Sequence, residues 1–393
     1  MKILHVITGL NVGGAETMLF RLLENSGQRD LHMEVATLLA PGFVGRKMVA
    51  AGVAVEPLGM SSLWTAPAAA LRLALLIRRS RPDVIMAWMH HAQLATMLAV
   101  ALSRSDVPVI WNVRHSLGQG YAQEKRLTRL VLWTQAALSR LPAAIVYNSR
   151  AAARQYRAIG FDPPSELVIP NGFPIEDSID TNSARAMLHG AFGITEGRTV
   201  IGMVARAHPM KDVGNLVAAF GLLRCAHATP HLLIVGEGMD RPGPELTQAL
   251  SRLPPGSWTL AGQRDDIQQW LGGLDMLVLP SAWGEGFPNV IGEAMAKGVP
   301  CIGTTVGDME WIIGATGRCV PPRHPAALAM ALQELCAMDK VLRRKLGGAA
   351  RQRMVELFAL DDVIARYESL YHDVAGHRGP ASSKSPPVQC EAA

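Results

Sequence analysis

The stretch DMLVLPSAWGEGFPNVIGEAMAK, residues 275–297, contains a strand, a loop and a helix in that order. Its first six residues, 275–280, are mostly apolar and predict a buried strand. The loop 281–286 contains two glycines, and residues 287–297 predict a helix. Pro288 suits the first turn of that helix, because the N–H group that proline lacks would have no partner within the helix there. A strand followed by a loop and a helix is the repeating unit of a parallel α/β sheet.

Short β-rich runs and longer amphipathic runs alternate on both sides of this stretch. The predicted strands are 2–8, 32–39, 53–57, 83–87, 107–113, 143–148 and 167–170 in the first half, and 199–205, 231–235, 258–261, 275–280, 299–303 and 317–320 in the second. Residues 171–194 between the two series are rich in Gly, Pro, Asp, Ser, Thr and Asn, which is typical of a linker, and contain a short predicted helix at 184–188. After the second series, helical periodicity is predicted over 326–357. The pattern predicts an α/β protein whose two Rossmann-like domains face each other across a cleft.

This organisation predicts four segments along the chain. Residues 1–172 form an N-terminal Rossmann-like domain, and residues 173–357 form a C-terminal one. Residues 358–375 form a helix that packs back towards the N-terminal domain. Residues 376–393 are rich in Gly, Pro and Ser and are expected to be a disordered tail.

Composition narrows the class of protein. The chain has 393 residues, of which 49% are hydrophobic and 18% charged, which is enough apolar surface for two cores. Its cysteines form no Cys-x-x-Cys pair, as expected of reduced thiols in the cytosol; they are Cys225, Cys301, Cys319, Cys336 and Cys390. Arg72 interrupts the longest apolar run, 66–77, so no transmembrane span is predicted. The net charge of +5 favours anionic partners but does not distinguish nucleic acid, anionic lipid and phosphorylated substrates.

The helix that begins near Pro288 is expected to bind an anion, because it follows the carboxyl end of a parallel strand and its free amides face the cleft. Glu285 precedes this helix, and Glu293 lies just over one turn inside it. Carboxylates repel a diphosphate but hydrogen-bond strongly to the hydroxyls of a sugar and a ribose. The combination predicts a nucleotide-sugar site. The spacing also fits a simpler interpretation, in which Glu285 complements the helix dipole and Glu293 is a solvated charge.

Residues 285–300, EGFPNVIGEAMAKGVP, resemble the signature of the retaining glycosyltransferase family 4, whose members have the two-domain GT-B fold. The family pattern is two glutamates separated by seven residues, here Glu285 and Glu293. The embedded Gly-Phe-Pro-Asn and Glu-Ala-Met-Ala, with Gly298 and Pro300, make the match specific. The resemblance covers residues 1–375 and implies that the N-terminal domain is on the acceptor side and the C-terminal domain binds the donor.

The resemblance implies that this segment contacts the donor throughout. Glu285 would hydrogen-bond the hydroxyls of the donor sugar, and Glu293 would hydrogen-bond the ribose. The remaining contacts to sugar and phosphate would come from Gly286, Phe287, Pro288, Asn289 and Val290.

The resemblance also implies a basic pair, Arg206 and Lys211, that neutralises the donor diphosphate and the leaving group. Both residues flank the start of a second helix, which Asp212 is suited to cap. The glycine or acidic residue that usually precedes the family's lysine is replaced here by Pro209-Met210. Without the resemblance, two solvated loop cations would be the simpler interpretation.

Five further positions are assigned by the resemblance. Gly13 and Gly14 form the first glycine loop, whose amides would approach the donor phosphates from the N-terminal domain. His115 would lie near the donor sugar, although a buried structural histidine is the alternative. Gly236 and Arg264 follow strands of the C-terminal domain and would lie near the base and ribose.

The expected chemistry is metal-independent, with no cofactor, because the chain lacks Asp-x-Asp, His-Glu-x-x-His and Cys/His clusters. The resemblance implies front-face transfer with retention at the anomeric carbon. In this interpretation Glu285, Arg206, Lys211 and His115 are catalytic, and the two cations with two helix dipoles stabilise the leaving nucleoside diphosphate.

The expected partners follow from that chemistry. The donor is expected to be a UDP- or GDP-type sugar, and the acceptor a saccharide or lipid-linked saccharide of cell-envelope or exopolysaccharide synthesis, with no nucleic acid partner. Two alternatives stay open: a sugar-nucleotide epimerase of the same architecture and a non-catalytic nucleotide-sugar-binding subunit.

Residues 121–141 predict a basic amphipathic helix. Its cations are Lys125, Arg126, Arg129 and Arg140, and its apolar face is expected to comprise Leu127, Leu130, Val131, Thr134, Leu138 and Leu141. Such a helix suits a cytoplasmic protein that lies peripherally on the anionic inner face of the cytoplasmic membrane. The alternative is that this face docks on the protein's own sheet.

Overall fold

The computed structural model describes residues 1–11, 13–25, 31–118, 120–121, 124–176, 180–224 and 230–376. The first half of the chain forms a seven-stranded sheet with the strands β1 Lys2–Ile7, β2 His32–Thr37, β3 Val55–Pro57, β4 Val84–Trp88, β5 Val109–Val113, β6 Ala144–Tyr147 and β7 Glu166–Val168. The second half forms a six-stranded sheet with β8 Val200–Val204, β9 His231–Val235, β10 Trp258–Ala261, β11 Met276–Leu279, β12 Cys301–Thr304 and β13 Arg318–Val320.

Both sheets are parallel and wind outward in two directions from a central strand. The strand order is β3-β2-β1-β4-β5-β6-β7 in the first sheet and β10-β9-β8-β11-β12-β13 in the second. Every pairing runs parallel, for example β1 with β4 and β8 with β11. In such sheets the chain reverses its winding direction beside the first strand, and the crevice at the carboxyl ends there is the usual ligand site.

Helices connect the strands and cover the faces of both sheets. In the first half they are α1 Gly14–Glu24, α2 Phe43–Ala50, α3 Ala66–Ser80, α4 His90–Ser103, α5 Arg126–Leu138 and α6 Arg150–Ala158. In the second half they are α7 Thr181–Phe192, α8 Val213–Gly221, α9 Pro244–Leu250, α10 Ile267–Trp270, α11 Asn289–Ala296, α12 Met309–Ile313, α13 Pro325–Ala337, α14 Lys340–Phe358 and α15 Leu360–Gly376.

Apolar side chains pack on both faces of each sheet, in two clusters per half. The central strands β4, β5 and β11 are buried along their whole length. Strands covered on both faces need continuous apolar sequence and not alternation, which is the pattern that the sequence shows. The predicted architecture of two Rossmann-like domains is confirmed.

The last helix, α15, belongs to the core of the first half although it ends the described chain. Its buried residues join the cluster beneath β1 and β4; they are Leu360, Val363, Ile364, Tyr367, Leu370 and Tyr371. Phe173 marks the crossing, because its amide donates to Phe358 O at 3.0 Å and its carbonyl accepts from the Leu360 amide at 2.9 Å. The two chain crossings between the halves therefore lie side by side. The predicted limits at residues 172, 357 and 375 stay a prediction.

Several predicted helices have different bounds in the structure. The helix predicted at 184–188 extends over Thr181–Phe192. The helical run 326–357 is interrupted at Asp339, whose carboxylate caps α14 by accepting from the Leu342 amide at 2.8 Å. Pro288 is the N-cap of α11 and does not lie in its first turn. The tail was predicted at 376–393; Gly376 is the last residue of α15, and residues 377–393 lie outside the described residues.

The predicted apolar face of α5 docks only in part on its own half. Leu127 and Leu130 are 57% and 58% exposed, whereas Leu132, which lies on the opposite side, is fully buried with Gln135. The polar Gln135 is accepted inside because it hydrogen-bonds His90 and Gln93. The helix therefore docks on its own half, as the alternative expected, through Leu132 and with Leu138 packed against the core, while Leu127 and Leu130 face away from it. Among the described helices, none has the length and apolar content to cross a membrane.

Candidate functional site

Loops at the carboxyl ends of both sheets meet at the interface between the halves. Gly286, which follows β11, lies against the loops that follow β5 and β6, because a Cβ placed there would be 3.6 Å from Ser116 and 3.5 Å from Ser149. Gly284 has a φ of +75° and packs on Met210. Glycine is the residue that adopts this backbone conformation without strain.

The centre of the site is an ion pair between Lys211 and Glu285. Lys211 Nζ lies 2.5 Å from Glu285 Oε1, and the two side chains are only 13% and 7% exposed. Ser281 Oγ donates to the same carboxylate oxygen at 2.5 Å, and Thr304 Oγ1 holds the Ser281 carbonyl at 2.5 Å. All four residues belong to the second half. The side-chain partners of this cation and carboxylate therefore all come from the second half.

Glu293 pairs across the interface and not within its own half. Its Oε1 accepts from Arg21 Nη2 of α1 at 2.9 Å, and Arg21 Nη1 also donates to the Gly172 carbonyl at 3.0 Å. The guanidinium lies 5.4 Å from the centre of the Phe173 ring. The interpretation of Glu293 as a solvated helix charge is wrong, because its side chain is 17% exposed and ion-paired.

The N-termini of α1 and α11 lie opposite each other. A Cβ on Gly14, the first residue of α1, would be 3.3 Å from Asn289 Nδ2, and Asn289 begins α11. Asn171 holds the start of α11 by hydrogen-bonding Asn289 and by donating to the Phe287 carbonyl at 3.4 Å. Two helix dipoles therefore direct their positive ends towards one place, which is favourable for an anion. Of the predicted residues, Gly14 and Asn289 lie where the two helices meet, Gly13 and Pro288 are the residues just before these helices, and Glu293 lies about one turn further along α11.

Arg206 is exposed, and within the described part of the chain it makes no hydrogen bond or ion pair. Gly236 lies beside it, since a Cβ on Gly236 would be 1.9 Å from the Ala205 carbonyl oxygen. Arg264 is engaged elsewhere: its guanidinium forms a two-pronged pair with Asp266 and lies 5.4 Å from the Phe192 ring centre. Of the predicted basic residues, only Lys211 contacts Glu285.

Histidines line the first-half side of the interface. His115 is 43% exposed, with Nε2 at 3.9 Å from Glu124 Oε1, and its ring meets the ring of His90 edge-on at 5.8 Å. His90 Nδ1 contacts Gln135 Oε1 at 2.8 Å and its Nε2 contacts the Tyr156 hydroxyl at 3.0 Å. Burial lowers the pKa of His90 to about 4 and also lowers the pKa of His115. Both rings are therefore neutral near pH 7.

Three residues of the site were not predicted. Arg21 has a signal in the sequence, because it lies two turns after Gly14 and therefore on the same face of α1. Arg114 hydrogen-bonds Asn171 and donates to Tyr367 at 3.3 Å, and burial lowers its pKa. It immediately precedes His115, so attention to that motif would have found it. Asp308 contacts α6 of the other half, and no local pattern in the sequence indicates this.

The arrangement supplies what transfer from a phosphorylated donor requires. It combines a buried cation, two opposed helix N-termini for negative charge, and a carboxylate that accepts hydrogen bonds from hydroxyls. Within the described residues, no group of three or more His, Cys, Asp or Glu side chains is placed to hold a metal ion. Neutral His115 stands on the opposite side, where it can donate or accept a hydrogen bond.

Two family models match the chain. The model described as Glycosyltransferase Family 4 matches residues 12–177, and the model described as Glycosyl transferases group 1 matches residues 198–338. The two matches correspond to the two sheets. Each model alone covers less than half of the chain, and together they cover most of it.

Curated relatives and solved structures agree with these matches. N-acetyl-alpha-D-glucosaminyl L-malate synthase of Bacillus anthracis is 30% identical over 51% of the chain, a match that spans only 52% of that protein. Phosphatidyl-myo-inositol mannosyltransferase of Mycobacterium leprae is 25% identical over 92% of the chain and 94% of its own length. The crystal structure of Anabaena Alr3699/HepE in complex with UDP is similar in fold, with a TM-score of 0.81 and 21% identity over 95% of this chain and 100% of that one.

Proposed function

Because the chain belongs to the group 1, or family 4, glycosyltransferases, we propose that it moves a sugar from a nucleotide-diphosphate sugar to a saccharide or lipid-linked saccharide, with retention at the anomeric carbon. The observation that carries the proposal is the buried Lys211–Glu285 pair, whose Nζ and Oε1 are 2.5 Å apart beside the start of α11. A cation and a carboxylate so placed suit the two parts of such a donor, the diphosphate and the sugar hydroxyls.

The proposed reaction exchanges one bond at the anomeric carbon. The bond to the β-phosphate oxygen breaks, the acceptor hydroxyl oxygen forms the new glycosidic bond on the same face, and its proton passes to a donor phosphate oxygen. Lys211 and the N-termini of α1 and α11 stabilise the departing nucleoside diphosphate. Glu285 orients the sugar through its hydroxyls, and Glu293 is assigned to the ribose. Arg206, free on the rim, is assigned to the diphosphate once the donor is bound.

The first-half side is proposed to receive the acceptor. His115 is 43% exposed and neutral near pH 7, so its ring can donate or accept a hydrogen bond with a hydroxyl of the donor sugar. The names of several relatives concern envelope or exopolysaccharide products, such as a diphosphoundecaprenol galactosyltransferase of Escherichia coli. A lipid-linked acceptor is therefore our first choice.

Peripheral membrane contact is proposed through the outer face of α5. Leu127, Leu130 and Trp133 are 57%, 58% and 65% exposed, beside the exposed Lys125 and Arg126. Apolar and cationic groups on one helix face are the combination that binds anionic bilayers. Leu130→Glu is expected to abolish co-sedimentation with phosphatidylglycerol vesicles at low salt. Met330→Glu, which changes a 74% exposed residue of the second half, should bind as the wild type does. Equal binding by both variants would refute the assignment.

The proposed reaction is tested by a donor screen followed by product analysis. UDP-, GDP- and ADP-sugars are titrated into the full chain by calorimetry, and slow release of the nucleoside diphosphate is followed with and without EDTA. UDP-glucose comes first, because the Anabaena protein of the same fold was crystallised with it. We expect one nucleotide series to bind, release to persist in EDTA, and NMR of the product to show the donor's anomeric configuration. Binding of no nucleotide sugar would overturn the proposal, and an inverted product would overturn retention.

A further inference from the structure

Asp308 connects the two halves through an unusual helix cap. Its carboxylate accepts hydrogen bonds from the backbone amides of Arg150 at 2.6 Å and Ala151 at 2.8 Å, the first two residues of α6. Ser149 supplies the local cap of this helix by accepting from the Ala152 amide at 3.1 Å. Asp308 lies in the second half, more than 150 residues away, and is only 3% exposed. The free amides of α6 are thus satisfied jointly by a near neighbour and by the opposite half.

The backbone of Asp308 also contacts the turn that contains Glu285. The Asp308 amide donates to the Gly286 carbonyl at 3.1 Å. Gly307 has a φ of +65°, and a Cβ on it would lie 2.2 Å from the Glu285 carbonyl oxygen. No other residue type fits there without displacing the turn. Residues 307 and 308 therefore touch the donor-side turn with their backbone and the first half with a side chain.

The contact is charged and exists only when the halves meet. A buried carboxylate is costly unless hydrogen bonds satisfy it, and these amides come from the positive end of a helix. Burial raises the pKa of Asp308, while the α6 amides oppose that shift by stabilising the charged form. A second contact lies beside it, because the Arg150 guanidinium is 4.1 Å from the centre of the Trp311 ring. On separation of the halves, Asp308 and the α6 amides would each return to water.

We propose that Asp308 is a positioning residue that couples closure of the two halves to the placement of the Glu285–Gly286 turn. This inference rests on the proposed function, since the turn matters for transfer only if Glu285 binds the donor. Closure draws the α6 N-terminus onto the carboxylate of Asp308, and the Asp308 amide transmits that position to Gly286. The donor site is then complete only in the closed form, in which the first half has also brought up Arg21 and His115.

The test compares Asp308→Ala and Asp308→Asn with Asp339→Ala in the full chain. Asp339 is the matched control, because it caps α14 with the same chemistry inside one half. Small-angle scattering without ligand is expected to show a larger radius of gyration than that of the wild type for both Asp308 variants. The radius of gyration of the Asp339→Ala control should not change. Loss of a charged helix cap should shift the equilibrium between open and closed halves about tenfold towards the open form. Because the donor site is complete only in the closed form, donor affinity should fall about tenfold, with a smaller loss in kcat. Scattering curves that match the control would overturn the inference.

A measurement on the wild type covers the case in which the variants do not fold. Hydrogen exchange of the peptide that contains Ser149 to Ala152 is followed by mass spectrometry, with and without the donor found in the screen. Closure predicts slower exchange with donor bound, and unchanged exchange would contradict the coupling. If no nucleotide sugar binds, the proposed function fails, whereas the scattering of ligand-free variants still decides whether Asp308 joins the halves.

Discussion

The two sides of the interface hold their polar residues in different ways. On the second-half side, the side chains of Lys211, Ser281 and Glu285 contact one another in a cluster with little exposure to solvent. On the first-half side, His115 is 43% exposed, and its closest charged partner, Glu124, is 3.9 Å away. Glu285 is thus held in a charged pair that is largely shielded from solvent, whereas His115 is uncharged near pH 7 and partly open to solvent.

This difference suggests how the two substrates are recognised. A nucleotide-sugar donor has an invariant charged part, so a preformed ion pair and fixed helix N-termini are suited to it. Acceptors differ in shape and charge among relatives. A partly open surface with an uncharged ring such as that of His115, which can donate or accept a hydrogen bond, can bind many of them. Glu293 belongs to neither class, because its partner Arg21 comes from the opposite half. The following predictions test each part of this comparison.

The largest effect is expected for Lys211→Ala. Lys211 is the one cation among the described residues that contacts Glu285. Its removal takes away stabilisation of the leaving phosphate, and kcat/KM should fall by ~10² to 10³. The control is Lys297→Ala, at the opposite end of α11, where Lys297 pairs with Glu176 at 2.9 Å. Steady-state release of nucleoside diphosphate measures both. Equal rates for Lys211→Ala and the wild type would show that the charge of Lys211 does not contribute to transfer.

Acid should destabilise the first half before the second. Burial lowers the pKa of His5 from 6.5 to about 3 and of His90 to about 4, and Trp88 donates to His5 Nδ1 at 3.1 Å, a bond that needs the neutral ring. A lowered pKa means that the unfolded chain binds more protons, so stability is complete above pH 6.5 and is lost as pH falls towards 4. Each histidine should cost roughly 2 kcal/mol at pH 5.

Hydrogen exchange at pH 7 and pH 5, corrected for intrinsic rates, locates this loss. The second half also carries a histidine of this kind, since burial is the main cause that lowers the pKa of His231 to about 4. Its peptides should lose protection as well, but less than those of the first half. Greater opening around β9 than around β1 and β4 would contradict the prediction.

A smaller effect is expected for His115→Ala. The loss of one hydrogen bond in a partly exposed position should lower kcat/KM by about tenfold, and His115→Gln should restore part of it. The control is His32→Ala, because that side chain is 69% exposed at the start of β2. A loss as large as that of Lys211→Ala would mean that His115 transfers a proton and does not merely hydrogen-bond.

The smallest effect is expected for the pair that crosses the interface. A double-mutant cycle with Arg21→Gln and Glu293→Gln should give a coupling of about 1 kcal/mol, because both side chains are about one-sixth exposed. The same cycle with Lys211→Met and Glu285→Gln should give more, since that pair is more deeply buried. Unfolding in urea without ligand measures both couplings. A larger coupling energy for Arg21–Glu293 than for Lys211–Glu285 would contradict this ranking of the two ion pairs.

The fold was predictable because most of its determinants are local. The strand predicted at 231–235 agrees with β9 to the residue, since His231 and four apolar residues lie between a proline and a glycine. Helix ends were less predictable. Asp339 interrupts a continuous helical pattern, and only its cap on the Leu342 amide reveals the break. The sequence did not show which leucines of α5 are buried, because Leu127 and Leu132 look alike in sequence and tertiary contacts decide between them.

The site was predictable within each half but not between the halves. The segment from Glu285 to Glu293 has a local signature, and its helix N-terminus follows from strand order. Its pairing with Arg21 and the link from Asp308 to α6 join residues more than 150 positions apart. No spacing within one element encodes such contacts. The packing of the two halves determines them.

The central claim is that Glu285 binds the sugar part of the donor and leaves the nucleotide part to other groups. Calorimetry on the wild type and Glu285→Gln, with the nucleotide sugar from the screen and with its bare nucleoside diphosphate, tests this directly. We predict that the variant binds the nucleotide sugar at least tenfold more weakly, the loss of one charge-assisted hydrogen bond, and binds the nucleoside diphosphate as the wild type does. Equal weakening of both ligands, or of neither, would contradict it.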